Sequence, residues 1–135
     1  MAVVDVVRRG DHYTVGETGP LSDLDSKLFL GPALGLTGME VSLNCLKAGQ
    51  GSSFVHQHRQ HEELYIFLKG RGQFQVDGDI VGVQPGTVLR VTPAGKRAWR
   101  NHGREDLEFV VIQANIGTLT GQDGVRHEGP VEWPE

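Results

Sequence analysis

Residues 51–70 read GSSFVHQHRQHEELYIFLKG, and within this stretch His56, His58 and Glu63 fall inside eight residues, with Gly70 closing the run. On a strand, side chains at i and i+2 leave the same face, so His56 and His58 point one way, with their Cα atoms roughly 7 Å apart. If Arg59 to Glu62 turn the chain back, Glu63 opens the next strand and faces the pair. Two imidazoles and a carboxylate then converge on one divalent ion at about 2.0–2.2 Å. Imidazole is an intermediate ligand, so the set suits Zn, Fe, Mn, Ni or Cu rather than Ca or Mg. The competing reading is a polar hairpin end with solvent-exposed histidines. His61 sits in the expected loop beside Glu62, either solvated or an alternate ligand.

Outward from this stretch the chain reads as short strands. Residues 63–69 are apolar at nearly every position, the pattern of a strand buried on both faces. Asp77-Gly78, between residues 73–76 and 79–81, is a type I′ hairpin signal, because both turn positions need positive φ. Further strands are expected at 27–30, 39–47, 54–58, 87–91, 98–101 and 107–114. About nine strands separated by turn residues every eight to twelve positions predict an all-β sandwich or barrel. There is no βαβ alternation and no dinucleotide fingerprint. Gly70-Arg71-Gly72 is too short for a phosphate cradle and reads as a hairpin corner.

The 135 residues form one expected domain, with a barrel core at about 27–117. Residues 1–26, polar and loop-like, and 118–135, rich in Gly and Pro, are peripheral, the second as an extended arm able to pack on a partner subunit. A net charge of −4, a pI near 5.8 and no basic stripe argue against nucleic acid. No run has the length of a membrane span, and residues 3–7 are too short and interrupted for a signal sequence. A lone cysteine excludes an internal disulfide framework and fits a reducing cytoplasm. Cys45 alternates with Val41 and Leu43, which makes it a small buried hydrophobe before it is a catalytic thiol.

Taken together, these residues resemble the cupin superfamily. Its first motif is a glycine, five residues, HxH, three or four residues, Glu, six residues and a glycine. Gly51, His56, His58, Glu63 and Gly70 follow it, with four residues between Gly51 and His56. Its second motif is a glycine, five residues, PxG, two residues, His, three residues and Asn. Pro93-Ala94-Gly95 and Asn101 follow that, with Gly86 one residue early. The resemblance covers about residues 39–114. It implies a double-stranded β-helix, or jelly-roll barrel, with a metal near its axis, and a homodimer. The family includes dioxygenases, isomerases, decarboxylases, sugar-modifying enzymes and non-catalytic binding proteins.

One departure stands out, at the second-motif histidine that supplies the fourth ligand in members with a full site. Counting forward from Gly95 puts Ala98 there, and counting back from Asn101 puts Arg97 there. Arg97 is favoured, because a deletion is tolerated in a turn whereas a one-residue slip in a paired strand inverts its faces. His102 lies four strand residues beyond Ala98, roughly 13 Å along, and is a poor substitute. Three readings of Arg97 stay open: it snorkels out of the barrel mouth, it pairs with Glu63 in place of a metal, or it binds an anionic substrate. Tyr65, Phe67 and Trp99 are expected to line the barrel, with Tyr65 and Trp99 also candidates to touch a ligand. Gln73 and Gln75 share a face that is either solvated or lines a polar pocket; Gln73 is the fourth substrate-binding candidate beside Arg97, Tyr65 and Trp99.

Two functions follow from different classes. In one, a metal-dependent enzyme holds its ion on His56, His58 and Glu63 and acts on a small, anionic molecule. In the other, a dimeric barrel binds or senses a small molecule without catalysis, with Arg97 paired to Glu63 and no functional metal site.

Overall fold

Asp77 and Gly78 both take positive φ, 51° and 88°, so the turn read from the sequence is formed. It joins β6 (Gly72–Val76) to β7 (Asp79–Val83) in the computed structural model, which describes residues 3–135. Met1 and Ala2, the start of the expected N-terminal arm, lie outside the described residues. The other strands are β1 (Asp5–Arg9), β2 (Thr14–Glu17), β3 (Lys27–Phe29), β4 (Glu40–Leu46), β5 (His61–Lys69), β8 (Val88–Val91), β9 (Arg97–Arg100) and β10 (Leu107–Asn115). Helix among the described residues is limited to the turn Gly31–Leu34 and a 3-10 turn at Leu21–Asp23.

A five-stranded sheet in the order β3-β4-β10-β5-β8 faces a three-stranded sheet in the order β7-β6-β9, with every pairing antiparallel. This is the all-β double-stranded barrel expected from the sequence. Register sets which residues look inward. Phe109 pairs with Phe67 and Asn44, Val111 with Tyr65 and Ser42, and Gln113 with Glu63 and Glu40. Tyr65, Phe67, Phe74, Leu107, Phe109 and Val111 form the core between the sheets. Phe67 stacks on Phe109 at 5.0 Å, and Tyr65 meets the Phe74 edge at 4.7 Å.

Three local expectations are corrected. The first 26 residues are not all loop, because β1 and β2 pair as a hairpin with a bulge between Val6 and Arg8. Polar outward residues on a two-stranded ribbon hide this alternation. Residues 54–58 are not a strand. They lie along β9, touching it in strand register only at Gly51↔Arg100 and His56↔Arg97. Six residues on one side span four on the other, so a regular ladder is impossible. Finally, β5 is buried on one face only: Glu63, Tyr65 and Phe67 are inside, while Leu64 and Leu68 are 37% and 49% exposed. Among the described residues, its outward apolar side chains lie on a sheet face that is only partly covered.

The two glycines of the first motif have physical work to do. A Cβ on Gly51 would sit 2.9 Å from the Trp99 carbonyl oxygen, where the ribbon crosses β9. Gly70, at φ +82°, would press a Cβ to 2.1 Å from the Asp106 carbonyl oxygen. Residues 118–135 carry no strand or helix, and Leu119 and Trp133 are largely exposed. No helix is long and apolar enough to cross a membrane among the described residues.

Candidate metal centre

The irregular ribbon before β5 carries two imidazoles and β5 carries the carboxylate. Backbone bonds fix the ribbon: His56 N donates to Arg97 O at 3.1 Å, Arg97 N donates back to His56 O at 2.9 Å, and His58 N donates to Pro93 O at 3.0 Å. The rings of His56 and His58 stand edge to face, 5.4 Å apart. Opposite them is Glu63, 4% exposed. Its Oε2 lies 3.3 Å from His58 Nε2 and its Oε1 lies 3.9 Å from His56 Nε2. One ligand atom from each of the three lies within 4.8 Å of the others.

Arg97 is turned inward and completely buried, while Ala98 faces the other side of the small sheet, beside Gln75. The count back from Asn101 therefore finds the inward-facing residue. Arg97 Nη1 donates to Glu63 Oε1 at 3.1 Å and Nη2 donates to Thr92 O at 2.6 Å. Tyr65 donates its phenol proton to the same Glu63 oxygen at 2.7 Å, and burial foremost, with Glu63 adding, holds that phenol far above its ordinary value. Trp99 is also inside, parallel to Phe74 and 5.5 Å from the His56 ring.

Asn101, the last residue of the second motif, holds the chain rather than a ligand. Its Nδ2 donates to Leu46 O and Glu105 O, and its Oδ1 accepts from Gly103 N. Gln73 is not brought to the centre. It lies on the outer face of the small sheet, accepts from Arg100 Nε at 2.8 Å, and lines a shallow groove with Ser52, Gln75 and Ile80. His61 sits at the barrel mouth, with Nδ1 2.7 Å from Gln113 Oε1 and its ring 5.7 Å from that of His58. It does not join the three-ligand group, and His102 is exposed beyond β9.

Sequence reasoning missed the polar inner face of β4 and β3. Ser42 and Asn44 are 4% and 2% exposed, with Asn44 Nδ2 bonded to Ser42 Oγ at 3.0 Å. Lys27 pairs with Asn44 in register and brings its ammonium over the Trp99 ring. The signal was the alternation itself: a face shared by Val41, Leu43 and Cys45 implies an opposite face of Ser42 and Asn44. Here the polar face is the inner one.

Do these residues fit a metal ion? His58 Nε2 is buried, has no hydrogen-bond partner, and points at a carboxylate oxygen. Burial, foremost, holds the His56 imidazole below its ordinary pKa, with Glu63 opposing and Arg97, His58 and Lys27 adding. A neutral imidazole offers a lone pair, so the donor set fits an intermediate divalent ion. Arg97 acts against it by already neutralising Glu63. A second cluster, Cys45, Asp106 and Glu108, is closed by Lys47, whose Nζ bonds Asp106 Oδ2 at 2.9 Å. Burial raises the Cys45 thiol above its ordinary value, as suits an inert side chain.

The Cupin domain family model matches residues 42–113. A crystal structure of a cupin protein from Bacteroides fragilis is 37% identical and superposes with a TM-score of 0.81 over 88% of this chain and all of that one. A predicted oxalate decarboxylase from Thermotoga maritima shares the fold at 19% identity, with a TM-score of 0.61 over 85% of this chain and 94% of that one. An oxalate-binding protein from Thermotoga maritima is 32% identical over 68 residues, half of this chain. The match spans 56% of that relative's length. With two facing antiparallel sheets, both glycines of the first motif in place and a family match over more than half of its residues, the chain belongs to the cupin family.

Proposed function

We propose that this cupin holds one divalent transition metal, Zn, Fe, Mn, Ni or Cu, on His56, His58 and Glu63, and binds a small anionic molecule beside it. The observation that carries this reading is the convergence of two imidazoles on a buried carboxylate, with His58 Nε2 left without a hydrogen-bond partner. Bound metal would supply a Lewis-acidic centre with open positions. The protein's own residues prepare the place. Tyr65 and Arg97 fix the Glu63 carboxylate, and Trp99 walls the centre beside His56. The oxalate-binding relative supports a small carboxylate as ligand. The test is metal analysis of protein purified without an affinity tag. About one equivalent per chain is expected, with at least a tenfold loss of affinity in His56→Ala and His58→Ala. Unchanged metal content in both variants would refute the ligand assignment.

A second reading rests on Arg97. With its guanidinium 3.1 Å from Glu63, the protein supplies its own cation, and the barrel binds a small molecule without metal or catalysis. Metal-free protein that still binds a small anion would favour it.

The same proposal includes a homodimer in the cytoplasm, whose reducing conditions suit the lone thiol of Cys45. Leu64, Leu68 and Val88 are exposed on the outer face of the five-stranded sheet, with the half-buried Ile66 and Ile112 beside them. The Arg90–Glu62 ion pair, at 2.8 Å, borders this patch with both signs of charge, which a two-fold axis makes self-complementary.

A further inference from the structure

Lys27 opens β3 and pairs with Asn44 of β4, so both belong to the face that looks into the barrel. Its Nζ lies 5.4 Å from the Phe29 ring and 5.7 Å from the Trp99 ring. The other side of the centre is close, since the Trp99 ring is 5.5 Å from that of His56. Arg97, the other inward cation, is committed to Glu63 and the Thr92 carbonyl. Lys27 has no such commitment: among the described residues its ammonium forms neither a salt bridge nor a hydrogen bond to a side chain.

We propose that Lys27 is the second positive pole of the anion site, so that the preferred ligand is a small dianion such as a dicarboxylate, with one end at the His56/His58/Glu63 centre and the other at Lys27. This rests on the metal-and-anion reading above and adds to it which anions are accepted. The charge balance points the same way. Arg97 and Glu63 cancel, which leaves Lys27, exposed at the mouth of the barrel, as the unpaired charge beside the centre, and a divalent ion adds two more. Burial lowers the Lys27 pKa while Glu63 raises it, so the ammonium is partly out of water and within the field of the centre. A lysine held over two aromatic rings keeps its charge available for a further partner on its open side. The indole of Trp99 lies beside both poles, 5.7 Å from the Lys27 ammonium and 5.5 Å from the His56 ring, and a ligand with one carboxylate meets only one of them.

The experiment is calorimetric titration of the zinc-loaded protein with malonate and with acetate, in wild type, Lys27→Met and Lys27→Arg, with zinc content and melting temperature measured in each. Lys27→Met is expected to weaken malonate at least tenfold and acetate less than twofold, at unchanged zinc content. Lys27→Arg, which keeps the charge, is expected to hold malonate within about threefold of wild type. Equal losses for both anions would overturn the proposal, since Lys27 would then only add to the general field. Unchanged malonate affinity in Lys27→Met would overturn it too, while leaving the metal-and-anion reading standing. Zinc-loaded wild type that binds neither anion would overturn both.

Discussion

Arg97 and Glu63 form an ion pair at 3.1 Å in which the arginine side chain is fully buried and the carboxylate is 5% exposed. Removing one member of such a pair leaves an uncompensated buried charge, at a cost of about 3–5 kcal/mol. Arg97→Met should therefore destabilise the metal-free protein by that amount, and added zinc should restore part of the loss. Arg97→His should place an imidazole at the fourth-ligand position and raise zinc affinity at least tenfold. Urea unfolding with and without zinc reads the first effect and competition against a chelator reads the second. An Arg97→His protein with wild-type zinc affinity would show that the guanidinium does not compete with the ion.

Acid should empty the centre, but later than it would empty a pair of exposed histidines. An imidazole must be neutral to ligate, and its ordinary value is about 6.5. Burial holds the folded value of His56 lower. The unfolded chain therefore takes up the proton first as pH falls. The contribution of His56 to stability is complete above about 6.5 and is lost as pH falls from there through the folded value. Zinc content measured between about pH 7.5 and 4.5 should show its midpoint below 6.5. A midpoint at or above it would mean that burial gives the ring no protection.

Gly70→Ala should be among the most damaging single-methyl changes outside the centre. Its φ of +82° is left-handed, and the added carbon meets backbone rather than a movable side chain. The conformational term alone is about 1–2 kcal/mol, and the clash adds to it. The urea midpoint should fall accordingly. A fall no larger than the conformational term would show that β5 and the Asp106 backbone move apart easily.

Charge on the outer sheet face should separate subunits. Standard interfaces bury about 1,600 Å² and keep charge out of their centre. Leu68→Glu with Val88→Glu, both at exposed positions, should leave the fold intact and give a monomer by sedimentation, where wild type gives a dimer. A wild-type monomer at micromolar concentration would remove this face from consideration.

Much of the barrel was legible because its signals are local. The Asp77-Gly78 turn, the alternation in β4 and the spacing of His56, His58 and Glu63 each depend on only a few neighbouring residues. What was illegible depends on where sheets meet. Nothing in Leu64, Leu68 and Val88 says that they face outward, because an apolar run reads alike whether its cover is its own chain or another. Gln73 was placed with the ligand candidates by its polarity alone, and the register Gln73↔Arg100 turns it outward. Lys27 carries no signal of its own in the sequence, because a lysine at a strand end is ordinarily solvated; its pairing with Asn44 brings it to the mouth of the barrel.

Glu63 stands on the large sheet, whereas Arg97 and the ribbon bearing His56 belong to the small one. Every contact Glu63 makes with them therefore bridges the gap between the sheets. At the opposite end that gap is filled by hydrocarbon, with Phe67 and Phe109 stacked and Leu107 fully enclosed. The barrel is thus clamped by two unlike fasteners: an apolar one that is indifferent to ionic conditions, and an ionic one whose grip varies with proton and metal concentration. Loosening should begin at the ionic end, so the part of the molecule that breathes first is the part that must admit a ligand.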